Sequence, residues 1–577
     1  MAVELRVRAG VDSALVVWRS PPVHGCRGFA LKRKIKRAPG SAPSPHTEGS
    51  PDAQGFIEEA VSSWVGFATG IDVEPGTRRP TTEWPIQKYL WSDFLVNVGD
   101  RVAYRVTPMV GPAGNLTPAD DQASSWSEVV LIGAETDGRV ACFFNRGIVA
   151  SQWLARLLPD ERPSASLAKA IASPQDKIRN FLAGPLREEL IGILGAANEE
   201  KGHVYAALFE LDDPELVPLL AAFRRRAHIV LGNGSVKRKG EDENLEAREA
   251  LAKCDIHDRM TAPRALAHNK FLIICDEAKA PQAVWTGSTN WTKTGLCTQA
   301  NNAVLVRNPA LAQTYLDQWN ALAKAGDETP AKLREANAEP RSAPRARNLT
   351  LWFTPMDGQA DLEQAGELIA EAKEGVLFLF FNPGPRGTLF NDIIQLASPA
   401  SAAFKPDLYI QGVINQDPGT EKNPVTLFNR GTRIDANADV VIPAAISQPL
   451  KFWKKELLKL PRSHAMVHSK VVVVDPYGDR PVVMTGSHNM GPKASGVNDE
   501  NLLIIRGNRP LASQYACNIM EIYNQYRWRA SQQRSDEGGR RWLGLVDDDA
   551  WQISGPGRGN DKRRLREIDF WFGAAGS

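Results

Sequence analysis

Residues 468–475 read HSKVVVVD and residues 486–489 read GSHN, and a similar pattern occurs about 200 positions earlier. There, residues 268–276 read HNKFLIICD and residues 287–290 read GSTN. The offset is 200 residues at the His and the Lys but 199 at the Asp and in the later segment. One additional residue therefore lies before Asp276, and we expect a β-bulge at Cys275.

The repeated segments lie in a part of the chain that alternates helical and strand patterns from about residue 140 onward. Apolar runs such as 204–209 and 227–231 are typical of buried strands, and 215–225 between them is typical of a helix. Because the same order recurs over 362–414, we expect two related α/β halves, residues 136–345 and 346–577. The Ala- and Pro-rich stretch 328–347 is expected to link them.

Residues 1–135 have a different texture, with short strands that alternate in period two and are separated by turns. We expect an antiparallel β-sandwich. Trp18 followed by Pro21 and Pro22, and Tyr104 on a later strand, resemble the early Trp and the tyrosine corner of a fibronectin type III domain.

The overall composition excludes a protein that coats polyanions through bulk charge. Lys and Arg number 69, Asp and Glu number 67, and the formal net charge is +2. The six cysteines show no metal-ligand spacing, and no apolar stretch approaches the roughly 20 residues of a transmembrane helix. We expect a soluble, cytoplasmic protein without an integral membrane segment.

The duplicated pattern resembles the HxKxxxxD and GSxN signature of the phospholipase D superfamily, in the form with two motifs in one chain. The resemblance implies that the two halves pack as a pseudo-dimer and that both motifs face one pocket, without a metal or other cofactor. It implies a catalytic set contributed by both halves: His268, Lys270, Ser288, Asn290, His468, Lys470, Ser487, Asn489 and Glu500.

These residue types also suit phosphodiester chemistry on physical grounds. A diester carries a negative charge that repels anionic nucleophiles, so a neutral imidazole is a suitable attacking group and a lysine a suitable clamp. Residues two apart on a strand point to one face, which directs the His and Lys of each motif to the same phosphate. One histidine would form a phosphohistidine while the other protonates the leaving alkoxide.

The two copies differ at the acidic position eleven residues after the GSxN asparagine. In the family this acid orients the motif histidine; Glu500 occupies the position in the second half, but Asn301 occupies it in the first. We expect Glu500 to lie beside His468 and to favour its protonated form. That interpretation, with the resemblance, predicts His268 as the nucleophile and His468 as the acid.

Several residues near the motifs have simpler interpretations than catalysis. Asp276 and Asp475 follow apolar strands and are expected to cap turns. His464 lies four residues before His468, but a strand there would hold the two side chains too far apart for a zinc site. Trp285 and Trp291 flank the first GSxN and could line an apolar entrance, or else lie in the core.

Three functions remain open from the sequence. The first is cleavage of phospholipid headgroup diesters, with possible transfer to alcohols. The second is a nuclease or nucleic-acid phosphodiesterase, for which local basic clusters at 224–226, 237–239 and 562–564 are weak support. The third is an inactive scaffold whose altered first motif is dead. The oligomeric state is open as well.

Overall fold

The computed structural model describes residues 3–40, 47–48, 50–133, 139–159, 161–343, 346–416, 438–443, 445, 450–457, 466–535, 543–552 and 562–573. No described helix is both long and apolar enough to cross a bilayer.

Antiparallel sheets form the N-terminal unit. Its described strands are β1 (Glu4–Ala9), β2 (Ala14–Arg19), β3 (Cys26–Lys36), β4 (Thr47–Glu48), β5 (Ile57–Ala60), β6 (Ser62–Ser63), β7 (Arg79–Pro80), β8 (Leu90–Asp93), β9 (Arg101–Val110), β10 (Thr117–Pro118) and β11 (Val130–Leu131). One sheet has the order β1-β2-β8 and another β10-β9-β3-β5-β4, with β11 beside β9. Trp18, Phe29 and Tyr104 from both sheets are buried in one core. The resemblance to a fibronectin type III domain stays a prediction.

The first α/β half is a seven-stranded sheet with helices. Its elements are β12 (Val140–Phe144), α1 (Ser151–Leu157), α2 (Pro163–Ile171), α3 (Lys177–Glu199), β13 (His203–Leu208), α4 (Leu216–Phe223), β14 (Ala227–Gly232), α5 (Leu245–Ala250), β15 (Asp255–Arg259), β16 (Lys270–Cys275), β17 (Pro281–Gly287), α6 (Lys293–Cys297), β18 (Asn302–Val306), α7 (Pro309–Ala325) and α8 (Ala331–Asn337). The strand order is β12-β18-β17-β16-β13-β14-β15. Asn308 caps α7 by accepting a hydrogen bond from Leu311 N, and Pro309 takes the first helical position, where its missing N–H costs nothing.

The second half repeats this arrangement. Its elements are β19 (Arg341–Ala343), β20 (Ala346–Phe353), α9 (Ala360–Ala370), β21 (Gly375–Phe380), α10 (Leu389–Ala397), β22 (Tyr409–Ile414), β23 (Ala438–Val441), β24 (Val471–Val474), β25 (Val482–Gly486), α11 (Pro492–Gly496), β26 (Asn501–Arg506) and α12 (Arg509–Ser535). The order β20-β26-β25-β24-β21-β22-β23 matches that of the first half, and β19 extends its edge. The expected linker is structured, because α8 and β19 lie within it.

The motif strands occupy equivalent central places in the two sheets. β16 and β24 each pair with a hairpin partner that carries the GSxN segment at its end, β17 and β25. The four valines of β24 are buried, as expected for a strand covered on both faces. The β16–β17 register shifts between Ile274 and Cys275, but the residue without a partner is Gln282 on β17. Cys275 pairs regularly with His203 on β13, so the additional residue lengthens β16, and the prediction of a bulge at Cys275 was wrong.

The C-terminal segment returns to the N-terminal unit. Residues 550–552 form a short 3₁₀ turn, and α13 (Lys562–Phe572) follows. Trp551 is buried in the N-terminal core, where its indole packs edge-on against Phe29 and its Nε1 donates to Cys26 O at 3.0 Å. The N-terminal core is therefore completed by residues from the far end of the sequence.

Candidate active site

The two His–Lys pairs lie where β16 and β24 begin. His268, Lys270, His468 and Lys470 are each less than 5% exposed. In both halves the lysine Nζ donates to the carbonyl oxygen of its own motif histidine at 2.7 Å. This repeated contact places each ammonium group beside its histidine, in agreement with the spacing of two residues along a strand.

An aromatic ring supports each pair from the neighbouring strand. Phe209 follows β13 and packs edge-on against His268 with ring centroids 4.8 Å apart. Phe381 follows β21 and lies 4.7 Å from His468. Because the rings fill the same place in both halves, they fix the imidazole planes without supplying charge.

Contacts between the halves bring the two motifs together. His468 Nδ1 lies 3.0 Å from Ser288 O, which belongs to the GSxN segment of the first half. The His468 backbone N–H donates to Ala300 O at 2.9 Å. Asn269, inside the first motif, accepts a hydrogen bond from Asn501 Nδ2 at 3.1 Å.

The orienting groups cross between the halves, which corrects the expectation for Glu500. Glu500 Oε1 lies 3.1 Å from His268 Nδ1, and Asn301 Oδ1 lies 3.0 Å from His468 Nδ1. The prediction that Glu500 supports His468 was wrong because it paired each acid with the histidine of its own half. At an interface between two sheets, the end of one hairpin faces the strand of the opposite half.

Glu500 is held as a carboxylate. Burial alone would raise its pKa, but the His268 ring, His488 and a hydrogen bond from Asn498 Nδ2 together lower that pKa to about 2. The Asn489 backbone N–H also donates to Glu500 Oε2 at 2.8 Å. A fully ionised acceptor beside Nδ1 favours the tautomer of His268 that carries its proton on Nδ1 and leaves Nε2 with a lone pair.

Burial is the largest influence on the four motif groups. It lowers the pKa of His268 to about 4 and of His468 well below the usual value, with the neighbouring lysine charges acting in the same direction. Burial also lowers the pKa of Lys270 to about 7 and that of Lys470 well below its ordinary range. The site therefore disfavours further positive charge and favours neutral imidazoles, and an anionic phosphate would stabilise the charged form of both lysines.

The GSxN serines brace the site, while the asparagines face it. Ser288 Oγ donates to Asn301 Oδ1 at 2.7 Å and accepts from Asn302 N at 3.0 Å. Ser487 Oγ accepts from Asn501 N at 3.0 Å. Asn489 Oδ1 is buried and has no hydrogen-bond partner among the described residues, so the amide of this side chain is available to a ligand.

The glycine of each GSxN is required by close backbone approach. Gly287 and Gly486 have φ values of 157° and 146°. A Cβ at either position would lie within 2.3 Å of the carbonyl oxygen of Asn302 or Asn501, respectively. Only glycine permits the strand to pass so near the following hairpin.

Two further asparagines lock the halves together, and sequence reasoning assigned them no role. Asn302 Oδ1 accepts from Thr485 Oγ1 at 2.7 Å and from Tyr515 OH at 3.1 Å. Asn501 Oδ1 makes the equivalent contacts, with Thr286 Oγ1 at 2.8 Å and Tyr315 OH at 3.2 Å. Asn302 and Asn501 are 199 positions apart, as the two GSxN segments are, and this shared offset could have identified them as part of the repeat.

Glu210 is a site residue that sequence reasoning missed. It follows Phe209, remains partly exposed, and accepts a hydrogen bond from Asn290 Nδ2 at 2.6 Å. Burial raises the pKa of its carboxyl to about 7, with the Lys270 charge acting the other way. The residue after Phe381 in the second half is the exposed Asn382, so this carboxyl belongs to one half only.

The remaining sequence predictions have mixed outcomes. Asp475, at φ 46°, accepts hydrogen bonds from three successive backbone N–H groups, 373–375, and Asp276 accepts one from Ala280 N, which confirms their capping roles. Trp285 and Trp291 are at most 1% exposed, so the suggestion that they line an entrance was wrong. His464 lies outside the described residues. Among the residues described, no group of three or more His, Cys, Asp or Glu side chains has a geometry that could hold a metal ion.

Comparison with known proteins supports the interpretation at the level of the domain. Residues 190–323 and 436–523 match the family described as "Cardiolipin synthase, PLD-like domain", and both motif regions fall inside these segments. These two segments, which make up less than half of the chain, therefore resemble a PLD-like domain. No curated protein matches the sequence.

Several solved structures are similar at low identity. Phosphatidylserine synthase from Haemophilus influenzae is 12% identical, with 60% of this chain and 85% of that chain covered and a TM-score of 0.40. The phospholipase D family member Nuc from Salmonella typhimurium is 25% identical, with coverage of 24% and 88% and a TM-score of 0.20. Yeast tyrosyl-DNA phosphodiesterase is 12% identical, with coverage of 54% and 85% and a TM-score of 0.31.

Proposed function

We propose that this protein is a metal-independent phosphodiesterase of the phospholipase D type that acts through a phosphohistidine on His268. One observation carries the proposal: two buried His–Lys pairs meet across the halves, and each histidine contacts an orienting side chain from the opposite half. Such a site surrounds one phosphoryl group with cations and hydrogen-bond donors.

The first step transfers the phosphoryl group to the enzyme. The Nε2 lone pair of His268 attacks phosphorus, and the bond from phosphorus to the leaving oxygen breaks. His468, protonated in the presence of the anionic substrate, gives its Nε2 proton to that oxygen. Lys270 and Lys470 balance the charge on the non-bridging oxygens.

The second step releases the product. His468, now neutral, takes a proton from water or an alcohol, whose oxygen attacks phosphorus. The bond between phosphorus and His268 Nε2 breaks, and both imidazoles return to their starting states. Water gives hydrolysis, and an alcohol gives transfer to a new diester.

We propose phospholipid headgroup diesters as the substrate class, and Glu210 is the feature that supports this choice. A partly exposed carboxyl beside Asn290 and Lys270 is well placed to meet the ammonium group of a zwitterionic headgroup. In its ionised form, the same carboxyl would repel the neighbouring phosphates of a nucleic-acid strand. The near-neutral net charge of the chain agrees with a substrate that is not a polyanion.

A nucleic-acid diester is the second candidate, and the loop after β14 favours it. Lys237, Arg238 and Lys239 are exposed on this loop. Since β13 and β14 are parallel, the loop leaves the same edge of the sheet as Phe209 and Glu210. A basic loop at this edge could track a phosphate backbone.

Headgroup cleavage can be tested directly. Vesicles of phosphatidylcholine and phosphatidylethanolamine with added ethanol, in excess EDTA, should yield phosphatidylethanol, and the His268→Ala variant should yield none. His24→Ala, at a fully exposed histidine, is the matched control and should behave as the wild type. Loss of turnover on chelation, restored by zinc or magnesium, would overturn the metal-free mechanism.

The same experiment should also measure cleavage of nucleic acids, the competing substrate class. Single-stranded DNA should be cut poorly at every salt concentration. Efficient, strongly salt-sensitive DNA or RNA cleavage without lipid turnover would replace the lipid proposal with the nuclease. No turnover of any diester, including bis(p-nitrophenyl) phosphate, would favour the inactive scaffold.

A further inference from the structure

A cavity of about 1240 Å³ lies away from the motif histidines, where the N-terminal unit, both halves and the C-terminal segment meet. It is larger than the ~300–1000 Å³ typical of a site for one small molecule. Asn145 lines it and separates it from the candidate active site, since its Oδ1 accepts a hydrogen bond from Asn301 N at 2.7 Å. The cavity is therefore adjacent to the candidate active site but distinct from it.

The lining is aromatic to an unusual degree. Six of the fifteen tryptophans of the chain contribute to it: Trp64, Trp91, Trp153, Trp453, Trp528 and Trp551. Two ring pairs are already in contact, Trp153 with Phe181 at 3.8 Å and Trp453 with Trp528 at 4.4 Å between centroids. Aromatic rings outnumber branched aliphatic side chains in the lining, which suits a ligand that is itself flat and aromatic.

Two arginines in this lining have no described acidic partner. The guanidinium groups of Arg78 and Arg156 lie 3.8 and 4.7 Å from the ring centroid of Trp64. Neither makes an ion pair or hydrogen bond with a described residue. Burial lowers the pKa of both, and the proximity of Arg156 lowers that of Arg78 further, as expected for two cations that share a site without an anion.

Three of the four carboxyl groups in the described lining already form ion pairs with arginines. Asp12 pairs with Arg146, and Asp93 with Arg33. Glu567 lies 2.9 Å from Arg527. Burial raises the pKa of the fourth, Glu521, to about 8, so it contributes little negative charge at neutral pH. The uncompensated charge of the cavity is therefore positive.

The cavity lining also contains buried polar atoms without hydrogen-bond partners in the described part of the chain. Ser92 Oγ and Asn524 Oδ1 are buried in the lining and have no hydrogen-bond partner among the described residues. Buried polar atoms without partners are costly, and a ligand with donors and acceptors on a ring edge would satisfy them.

We propose that this cavity is a second binding site and that its ligand is a nucleotide, whose base stacks among the tryptophans while its phosphate pairs with Arg78 and Arg156. The site is independent of the proposed diesterase reaction. Its volume admits a nucleoside triphosphate or a dinucleotide. The same chemistry is offered by a free nucleotide and by the phosphorylated end of a strand.

Calorimetric titration of the full chain carrying His268→Ala, which should prevent turnover, tests the proposal. AMP, ATP and the dinucleotide pApA should bind saturably with one site per chain. AMP should bind about tenfold or more tightly than adenosine, which lacks the phosphate, and than ribose 5-phosphate, which lacks the base. This comparison needs no change in the cavity itself.

Variants then locate the site. Arg78→Gln and Arg156→Gln should each weaken AMP binding about tenfold, whereas Arg225→Gln, at an exposed arginine outside the cavity, should not. A 5′-phosphorylated dodecanucleotide that binds more tightly than pApA, with the same arginine dependence, would support the site and identify a strand end as the ligand's source.

Three results would overturn the proposal. They are the absence of saturable nucleotide binding, affinity that both arginine variants leave unchanged, and ribose 5-phosphate binding as tight as that of AMP. Binding of dioctanoyl phosphatidic acid in place of nucleotides would also overturn it and assign the cavity to a lipid. None of these results bears on diester cleavage, which is measured with other substrates and other variants.

Discussion

The two motif histidines occupy equivalent places in equivalent sheets, yet their surroundings differ in charge. His268 faces the Glu500 carboxylate, and Glu210 lies nearby, whereas His468 faces the neutral amide of Asn301. Each orienting group comes from the opposite half. The difference shows how a duplicated motif can take two unequal roles: the repeated residues stay the same, and the partners that cross the interface diverge.

Removal of either histidine should have the largest effect and should separate the two roles. His268→Ala and His468→Ala should each lower steady-state phospholipid turnover by roughly 10⁴-fold or more. With bis(p-nitrophenyl) phosphate, whose leaving group needs no acid, acid quench of His468→Ala should still trap phosphohistidine. His268→Ala should trap none. A trapped phosphohistidine in His268→Ala would move the nucleophile to the second half.

Glu500→Gln should lower kcat by about 10²-fold and shift the pH profile. In the free enzyme, His268 must be neutral, so kcat/KM should rise near pH 4, and both protonated His468 and charged Lys270 are required, so kcat/KM should fall at or below about pH 7. The Glu500 carboxylate raises the pKa values of His268 and Lys270, so its loss should move the acidic limb, and the part of the basic limb that Lys270 sets, to lower pH. A shift in the basic limb alone would contradict its contact with His268.

The duplicated motif was predictable because each residue of the HxK and GSxN segments has a local reason for its place. The two α/β halves followed from the alternation of apolar runs, whereas the change of offset near Cys275 gave the place of the irregularity but not the strand that carries it. The crossed contact of Glu500 was not predictable in the same way, because sequence distance ties a side chain to its own half. Only the packing of one sheet against the other decides which imidazole it reaches.

Glu210→Asn should make the first half resemble the second, which has Asn382 at this position. Without the carboxyl, the preference for phosphatidylethanolamine over phosphatidylglycerol should fall by about tenfold in kcat/KM. Cleavage of bis(p-nitrophenyl) phosphate should change less, because this substrate has no headgroup. An unchanged headgroup preference would remove the argument that ties Glu210 to a phospholipid.

Trp291→Met should change activity least. Met490 holds the equivalent position in the second half, and both side chains are fully buried. The loss of volume should lower the free energy of unfolding by about 2–4 kcal/mol, measured by denaturant titration. Phospholipid and bis(p-nitrophenyl) phosphate cleavage should keep their ratio, whereas a selective loss of lipid turnover would restore the idea of an aromatic entrance.

The two tryptophans and Glu210 show two opposite errors of sequence reasoning. The tryptophans were considered for the site and lie in the core, whereas Glu210 was not considered and lies at the site. Trp285 and Trp291 are close to the motif in sequence, but both side chains are buried: Trp285 lies on β17, where residues alternate between faces, and Trp291 lies in the segment between β17 and α6. Glu210 is 58 positions before His268 and reaches the site because β13 lies beside β16. Sidedness and strand adjacency, rather than nearness along the chain, decide which residues meet a substrate.

The insertion of Trp551 into the N-terminal core has a consequence for biosynthesis. Strands β1 to β11 leave the ribosome about 420 residues before this tryptophan, which at ~5–20 residues per second is a delay of roughly 20–80 s. During that interval the nascent sheets lack the indole that fills their centre and expose apolar surface. The N-terminal unit is thus synthesised before both α/β halves but completes its core after them, and chaperones that shield nascent chains would act on it during this interval.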